Sequence, residues 1–250
     1  MACAGVQSPT ATPQLFQWEP VEKGHVRQLQ LGSRNVTMQT LAVRPRLFLI
    51  SDFMTAAETQ ELLGEAHAAG FKPSNVGFDK AEKKRDVSIR TSESAYLGST
   101  MLPSSAQAKL LAQLSTLTKL PLLLVGRSER VQVVKYERSQ YHRLHRDNAG
   151  AAGSRYVTLL VILRQARRGG ETCFPFADDF LPTGEPDAKA VEQLREKCAG
   201  LKIRPPAGSA LLWYNSQVVE GRLGSIENVA YHASCPVKKG SKVAANIWVH

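Results

Sequence analysis

Five short strand-like segments fill the second half of the chain, and no other feature constrains its fold as strongly. Each segment is rich in apolar, β-branched or aromatic residues, and turn-forming or charged stretches separate one from the next. The segments lie at 130–136, 156–163, 201–204, 210–214 and 242–249. Strands of this length are not stable alone, so they must pair into a sheet that is folded into a sandwich or closed into a barrel.

Helical signals occur mainly before these strands. Thr55 and Glu58 form the sequence pattern of a capping box, which predicts a helix that ends at Gly70. A second helix is predicted after Pro103. It should end before Pro121, because proline disfavours helical geometry in the residue that precedes it.

This order of elements predicts an α+β fold with a mainly β core, in which helices pack on one side of a sandwich or barrel. A chain of 250 residues is long enough for one such domain. We expect an N-terminal tail with an edge strand at 1–45, a helical support region packed on the sheet at 46–129, and the β core at 130–250. One more helix, at 187–200, is expected to interrupt the strands of this core.

The charge balance of the chain favours anionic ligands. Lys and Arg total 32 against 22 Asp and Glu, which gives a net charge of +10. The sequence has neither a basic strand with interleaved aromatic residues nor zinc-finger spacing, so no nucleic-acid partner is predicted. It has no run of 18 apolar residues and no apolar signal core near its start, so no membrane segment is predicted. These features leave the cellular compartment and the oligomeric state open.

A histidine and an aspartate stand two residues apart, as His145-Arg146-Asp147. Side chains at this spacing on a strand point to the same face, so an imidazole nitrogen and a carboxylate oxygen can reach one metal ion. His232, near the start of a later strand, is the candidate for a third ligand. Two histidines and one carboxylate on one face of a metal are typical of non-haem iron(II) oxygenases. The alternative is a surface pair joined by a hydrogen bond, without a metal.

The last strand has two chemically different faces. Lys242 and Trp248 share the face that is polar at its ends, whereas the alternate residues from Val243 to Val249 are all apolar. We expect the apolar face to pack against the core or the helices, and the other face to line a cavity. A lysine that points into a barrel requires an anion, and the C5 carboxylate of 2-oxoglutarate is a suitable one. The alternative is an exposed turn lysine after Gly240.

Beyond these single features, residues 130–250 resemble the catalytic domain of the prolyl 4-hydroxylases. Several motifs in the same order and at similar spacing carry the resemblance. The motifs are RVQVVKYE from Arg130, the His145-x-Asp147 pair, RYVTLL from Arg155, GGETCFP from Gly169, HASCPV from His232 and the stretch 240–248. Weaker similarity extends upstream through 48–69 and 90–92.

The resemblance implies a fold and a set of cofactors. The fold is a double-stranded β-helix (jelly roll) with flanking N-terminal helices, and 130–250 becomes an iron/2-oxoglutarate dioxygenase core. The cofactors are iron(II), 2-oxoglutarate as cosubstrate, and ascorbate. By motif position, the implied iron ligands and catalytic residues are His145, Asp147 and His232. The residues implied at the 2-oxoglutarate pocket are Lys242, which is also placed in the catalytic set, with Tyr136, Thr172 and Trp248.

The implied substrate is a proline-containing peptide or protein, which would be hydroxylated at proline with release of succinate and carbon dioxide. The residues that match the peptide groove are Arg155, His142 and His250. Cys198 and Cys235 match a disulfide found in plant and algal members of the family. Such a bond favours an oxidising compartment, of which the endoplasmic reticulum is the one implied.

Four positions depart from the family pattern. Leu144 stands where a proline commonly precedes the metal histidine, and His142 stands where a tyrosine is common. Arg167 and Arg168 replace acidic residues before the Gly-Gly-Glu-Thr motif. These changes leave the predicted iron site untouched and bear on the substrate. Two alternative functions therefore stay open. The first is a 2-oxoglutarate oxygenase that acts on another peptidyl residue or on a small molecule, and the second is an inactive peptide-binding module.

Overall fold

The computed structural model of the protein describes residues 14–75, 86–98, 103–148, 155–178 and 186–250. The helices of this part are α1 (Ala56–Ala69), α2 (Ser105–Thr118), α3 (Leu122–Gly126) and α4 (Ala188–Leu194). Its strands are β1 (Val26–Leu31), β2 (Arg34–Ala42), β3 (Leu47–Ser51), β4 (Lys72–Pro73), β5 (Glu93–Tyr96), β6 (Gln132–Tyr136), β7 (His142–His145), β8 (Val157–Arg164), β9 (Arg168–Gly169), β10 (Thr172–Phe174), β11 (Leu201–Ile203), β12 (Ala210–Tyr214), β13 (Ser216–Val219), β14 (Arg222–Ile226), β15 (His232–Ser234), β16 (Val237–Lys239) and β17 (Lys242–Val249). None of the described helices is both long and apolar enough to cross a lipid bilayer.

The two long helices begin where the sequence predicts. The Thr55 side chain accepts a hydrogen bond from the Glu58 amide, and the Glu58 carboxylate accepts one from the Thr55 amide, so the capping box is present. At the start of α2, the hydroxyl of Ser104 accepts a hydrogen bond from the Gln107 amide. Each helix buries one apolar stripe, which includes Leu62 in α1 and Leu110 in α2. These stripes fix both helices against the sheet.

Two antiparallel sheets form the body of the protein. The main sheet has nine strands in the order β1-β2-β3-β12-β8-β17-β6-β5-β4. The minor sheet has four strands in the order β11-β10-β15-β7. At the centre of the main sheet, β8 and β17 pair from Val157 opposite Val249 to Arg164 opposite Val243.

The pleat of the central strands divides the apolar core into two parts. Val243 and Ala245 of β17 belong to a large cluster with the leucines of α1 and α2. Ala244, which points the other way, belongs to a second cluster with Phe174 of the minor sheet. The helices therefore cover the outer face of the main sheet and the minor sheet covers the inner face. This arrangement confirms the predicted jelly roll with flanking N-terminal helices.

Several elements differ from the sequence prediction. The N-terminal region contributes a hairpin, β1–β2, of which β1 is the sheet edge, instead of one edge strand. The sequence does not predict the hairpin β13–β14 or the short helix α3. The predicted helix at 187–200 is shorter, because α4 ends at Leu194. The missed hairpins share a physical cause: β14 is exposed along its whole length, and β1 is exposed at alternate residues, so neither has a strong apolar pattern.

A covalent link ties the segment after α4 to the minor sheet. The structure joins Cys198 to Cys235, whose Cα atoms lie 5.4 Å apart, within the usual range for a disulfide. Cys173 of β10 is buried beside the pair, and the three sulfur atoms lie within 4.8 Å of one another. Because Cys235 directly follows β15, the link restrains the strand that carries His232.

We expect Cys198→Ser to lower the free energy of unfolding by about 2–4 kcal/mol in protein made under oxidising conditions. The reason is that the bond closes a loop between residues 37 positions apart and so restricts the unfolded chain. Chemical denaturation with and without a reductant measures the effect. Reductant should bring the wild type to the stability of the variant and leave the variant unchanged.

Cys173→Ser is the matched control, because it replaces the neighbouring thiol and leaves the bond intact. Reductant should still destabilise this variant by the amount seen for the wild type. Equal stability of oxidised and reduced wild-type protein would contradict the prediction.

Candidate active site

Three side chains of the predicted ligand set converge between the two sheets. His145 at the end of β7 stands opposite His232 at the start of β15. The Nε2 atoms of His145 and His232 lie 3.8 and 3.7 Å from the Oδ1 and Oδ2 atoms of Asp147. All three potential ligand atoms lie within 4.8 Å of one another, so one ion between them can contact all three.

The sequence correctly predicts that His145 and Asp147 approach one another, but the structural reason predicted for it is wrong. Strand β7 ends at His145, and Asp147 belongs to the turn that follows. The carbonyl of Asp147 accepts a hydrogen bond from the Arg155 side chain at 3.2 Å, in place of a bond from a neighbouring strand. The turn therefore brings the carboxylate back to the imidazole, without a shared strand face.

Backbone carbonyls orient both imidazole rings. The Nδ1 atom of His145 lies 2.7 Å from the carbonyl oxygen of Arg143, and the Nδ1 atom of His232 lies 3.1 Å from that of Ala230. A carbonyl can only accept, so each Nδ1 carries the proton and each Nε2 keeps its lone pair. Both lone pairs are therefore available on the side where Asp147 lies, as metal binding requires.

A chain of buried side chains holds the carboxylate of Asp147. Its Oδ2 atom accepts from the Thr158 hydroxyl at 2.7 Å, and that hydroxyl accepts from the Asn215 amide at 2.8 Å. The amide oxygen of Asn215 in turn accepts from the indole N–H of Trp213 at 3.1 Å. Each donor is itself positioned by its neighbour, so the orientation of the carboxylate is set before any ligand binds.

The electrostatics of the three residues suit a metal cation. Burial and the neighbouring His232 lower the pKa of His145 well below its ordinary value. Burial raises the pKa of Asp147, but the two histidines, Arg155 and Thr158 outweigh burial, so this pKa lies below its ordinary value. At neutral pH the site offers a neutral imidazole and an ionised carboxylate, which are the forms that bind metals. Two nitrogens and one carboxylate oxygen are donors that fit iron(II).

Lys242 at the start of β17 points into the same cleft, and only 2 % of it is exposed. Its Nζ atom donates to the Thr172 hydroxyl at 3.0 Å and to the Ser234 hydroxyl at 3.3 Å. It forms no salt bridge with any carboxylate of the described ranges, and burial lowers the pKa of Lys242 to about 8. The alternative of an exposed turn lysine is therefore wrong. The more distant Glu171 offsets burial only in part. The buried ammonium group has hydroxyl partners and no carboxylate of the described residues in contact with it, which fits an anionic ligand.

The pocket around these groups has a volume of about 330 Å³, within the range of small-molecule sites. Tyr136, Thr172 and Trp248 all line it, as their motif positions predict. The indole Nε1 of Trp248 is buried and has no hydrogen-bond partner among the described residues. A buried donor without an acceptor is unfavourable, so this N–H is suited to a carbonyl or carboxylate oxygen of a ligand.

The three residues matched to the peptide groove lie in different places. Arg155 lines the pocket and its guanidinium lies 3.8 Å from the centre of the Trp248 ring. His142 also lines the pocket and stacks on His145, with 3.7 Å between ring centres. His250 is not among the residues that line the pocket. It lies outside, where its Nε2 atom is 2.9 Å from Oε1 of Glu129.

Glu129 connects the inside of the pocket to its outer edge. Its two carboxylate oxygens accept hydrogen bonds from Arg155 at 2.5 and 2.7 Å, and one of them also contacts His250. Burial raises the pKa of Glu129, but His250 and Arg155 outweigh burial and lower it to about 2. The carboxylate is therefore ionised at neutral pH and fixes the guanidinium over Trp248.

Several residues that hold the predicted ones in place were not predicted from the sequence. Thr158 and Ser234 were detectable, since each is a polar residue within a buried strand. Asn215 and Glu129 had no such signal, because one follows a strand and the other precedes one. Arg90, which is buried in the pocket wall and donates to Ser92 at 2.8 Å, lies in a segment where the sequence predicted no element.

Comparisons with known proteins agree with this geometry. Residues 131–250 match the family model of the 2OG-Fe(II) oxygenase superfamily. Probable prolyl 4-hydroxylase 9 of Arabidopsis thaliana is 26% identical over 258 residues, which cover 96% of this chain and 84% of the relative. Prolyl 4-hydroxylase 13 of the same plant is 28% identical over 221 residues, which cover 86% of this chain and 74% of the relative.

Among solved structures, the fold is similar to that of the viral collagen prolyl hydroxylase of Paramecium Bursaria Chlorella virus-1, in its complex with 2-oxoglutarate. The TM-score is 0.53 at 24% identity, and the match covers 81% of this chain and 94% of that one. At this identity the likeness shows the fold, which is the jelly roll described above. Together with the matched family model and the similar relatives, it confirms the predicted resemblance to the prolyl 4-hydroxylases: residues 131–250 form a 2OG-Fe(II) oxygenase domain, which is the domain of an iron(II)- and 2-oxoglutarate-dependent dioxygenase.

Proposed function

We propose that the protein is a prolyl 4-hydroxylase that acts on proline residues in a peptide or protein. One observation carries the proposal. A single pocket brings together two histidines and an aspartate, a buried lysine that forms no salt bridge, and an indole N–H that has no acceptor, as far as the chain is described. These three features correspond to a metal, a dicarboxylate and a peptide. The prolyl 4-hydroxylases that resemble the chain along most of its length support proline as the target.

In this proposal, His145, Asp147 and His232 hold iron(II). When bound, iron(II) supplies the oxidative chemistry, in which 2-oxoglutarate and oxygen are consumed, succinate and carbon dioxide are released, and one oxygen atom enters a C–H bond of the substrate. The chain supplies position and exclusion of water. Thr158 supports this role by holding the Asp147 carboxylate in place. The region 130–250 is accordingly the catalytic core, and 46–129 supports it from the outer face of the sheet.

Lys242 binds the C5 carboxylate of 2-oxoglutarate in this proposal, with hydrogen bonds from Tyr136 and Thr172 to the same molecule. The support is the pairing of a buried ammonium group with the Thr172 and Ser234 hydroxyls and no carboxylate. An arriving carboxylate would neutralise a charge that is otherwise buried at considerable cost. Trp248 closes one side of this pocket, where its apolar ring excludes water from the reacting groups.

Arg155, His142 and Trp248 contact the peptide in this proposal. An extended proline-rich segment is a suitable guest, because its backbone carbonyls are not used by internal hydrogen bonds. The free indole N–H of Trp248 can donate to one such carbonyl. His250, which lies outside the pocket, would meet the substrate only beyond the Glu129 carboxylate.

We further propose ascorbate as the reductant that maintains iron(II), and the endoplasmic reticulum as the compartment. The link between Cys198 and Cys235 supports the compartment, because structural disulfides persist in oxidising surroundings.

The experiment that tests the function is a screen of proline-rich peptides with iron(II), 2-oxoglutarate and ascorbate. The expected product is a peptide that has gained one oxygen atom, located on proline by fragmentation mass spectrometry, with one succinate formed for each hydroxylation. A gain located on another residue would assign the chain to a different peptidyl target. Peptide binding without any succinate would assign it to an inactive module.

Replacement of any one ligand by alanine, in His145→Ala, Asp147→Ala or His232→Ala, should abolish succinate formation. It should also weaken metal binding by more than about 100-fold, because changes even to groups behind the ligands cost 10- to 100-fold. Anaerobic titration with iron(II) measures the affinity, and thermal unfolding checks that the variants fold. His67→Ala is the matched control, since His67 is exposed on α1 and far from the set. Wild-type metal affinity in any one of the three would overturn the assignment.

Lys242→Met should weaken binding of 2-oxoglutarate by roughly 2–5 kcal/mol, as expected when one member of a buried charge pair is lost. Methionine keeps the length of the side chain, so the change removes the charge without opening a large cavity. Calorimetry with the iron(II)-loaded protein under anaerobic conditions measures the affinity. Iron(II) binding itself should stay within about twofold of the wild type, because no ligand is altered.

Lys242→Arg is the control, and the pH dependence of 2-oxoglutarate binding is the quantity compared with the wild type. In the wild type the pKa of Lys242 is lowered to about 8, so above pH 8 the free protein must take up a proton to bind the carboxylate. Its affinity for 2-oxoglutarate should therefore fall about tenfold per pH unit above 8. The arginine variant stays charged, and its affinity should be weaker but flat with pH. A flat profile for the wild type would contradict the assignment of Lys242.

A further inference from the structure

A second concave surface lies beside the active-site pocket and has a volume of about 520 Å³. It is formed around α3, by strand β14 of the hairpin β13–β14, and by His250. We call it the side groove. Its lining includes Leu120, Leu124, Arg127, Arg222, Leu223 and His250. None of the site residues proposed for iron(II) or 2-oxoglutarate is among its lining.

The side groove shares a boundary with the active-site pocket. His250 lines the groove, and its Nε2 atom contacts the Glu129 carboxylate at 2.9 Å. Glu129 lines the active-site pocket and holds Arg155 over Trp248. A polypeptide chain that leaves the pocket across the Glu129–His250 pair would therefore pass directly into the side groove.

The groove leaves apolar side chains accessible. Leu124 of α3 is 41% exposed and Leu223 of β14 is 40% exposed. Leu15 and Leu120 complete the apolar part of the lining. A single exposed leucine is ordinary, but a group of apolar side chains from several elements around one concave surface is typical of a binding site. This group would bury its apolar area against a segment that presents apolar side chains of its own.

The groove is also positively charged. The guanidinium groups of Arg127 and Arg222 form no salt bridge or hydrogen bond within the part of the chain that the structure describes. No acidic residue is among the described residues that line the groove. Two unpaired guanidinium groups on a protein of net charge +10 attract carboxylates and repel basic segments. A segment that binds the groove should therefore carry acidic side chains as well as apolar ones.

We infer that the side groove binds a second segment of the substrate protein, at a short distance along the chain from the hydroxylated proline. The segment carries apolar side chains beside Asp or Glu residues, which meet the leucines and the two arginines. The inference rests on the proposed function, because it places the target proline in the active-site pocket. It makes an acidic and apolar sequence context a determinant of which prolines are used.

Three peptides with one proline-rich core test the inference. The peptides differ in an extension that is built from Leu and Glu, from Leu and Lys, or from Gly and Ser. Each extension is tested in two positions, at the N-terminal end and at the C-terminal end of the core. The Leu/Glu extension should lower KM at least tenfold relative to the Gly/Ser extension at one of the two ends, with kcat within twofold. The Leu/Lys extension should give no such gain. Equal KM values for all three extensions at both ends overturn the inference.

Arg127→Glu combined with Arg222→Glu should abolish the tenfold gain and leave KM for the Gly/Ser peptide within twofold of the wild type. The matched control is Lys189→Glu combined with Lys197→Glu, which changes the net charge equally at exposed residues near α4. The control should retain the gain. Loss of the gain in both double variants would show an effect of net charge alone and would overturn the inference.

Binding of the labelled Leu/Glu extension without the core, measured by fluorescence anisotropy in metal-free protein, separates this inference from the proposed function. The extension should bind the wild type at least tenfold more tightly than the Arg127/Arg222 variant, whether or not any peptide is hydroxylated. Equal binding overturns the inference. Binding that occurs only after residues 1–13 are removed assigns the groove to the chain's own N-terminal segment. Self-association that the double variant prevents assigns it to a second copy, and either result overturns the inference.

Discussion

The alternation of side chains along β17 is the constraint on which the rest of the structure depends. Successive residues of a strand face opposite sides. One face of β17 therefore packs against the helices, and the other face lines the cleft. Val243 packs in the cluster beneath α1 and α2, while Lys242 and Trp248 face the cleft. A shift of one residue in the pairing with β8 would exchange these faces and place the ammonium group in the apolar cluster. Packing against the helices therefore also fixes the direction of Lys242.

The cleft that results carries more buried positive charge than its own carboxylates balance. Glu129 is fully engaged by Arg155, and Asp147 faces two histidines. Lys242, by contrast, donates to two hydroxyls, lies 5.8 Å from the centre of the Tyr136 ring and forms no salt bridge with the carboxylates of the described residues. Burial of an ammonium group without a salt bridge is unfavourable, and the same burial lowers the pKa of Lys242. The imbalance is specific, because a ligand that brings a carboxylate to this end of the cleft removes it, whereas a neutral ligand does not.

Periodic features were predictable from the sequence, and features fixed by tertiary contact were not. The capping box at Thr55, the strands β12 and β17 and the two faces of β17 follow from local patterns, and the structure has them as predicted. The helix predicted at 187–200 is longer than the observed α4. Its cap at Asp187 is a strong start signal, whereas no buried apolar stripe defines its end.

The same distinction holds within the site. The spacing of His145 and Asp147 predicts that they approach one another, yet the turn that carries Asp147 is bonded by Arg155, which lies just before β8. His250 was matched to the peptide groove by motif position. Its side chain instead lies across Glu129 from the pocket, because the short-range attraction of the carboxylate determines where it rests. Motif spacing therefore predicts which residues approach one another in the candidate metal site. It does not predict the hydrogen bonds that orient them, from the Arg143 and Ala230 carbonyls to the two imidazoles and from Thr158 to Asp147.

The ligand atoms of the pocket are held by paired strands and by a network of buried hydrogen bonds, whereas the side groove is formed by α3 and β14, which are largely exposed. Effects of substitution at separated sites with no shared partners are nearly additive. Changes in α3 or β14 can therefore alter the preferred substrate segment while the donor atoms keep their positions, and Glu129 is the residue through which the two sites remain in contact.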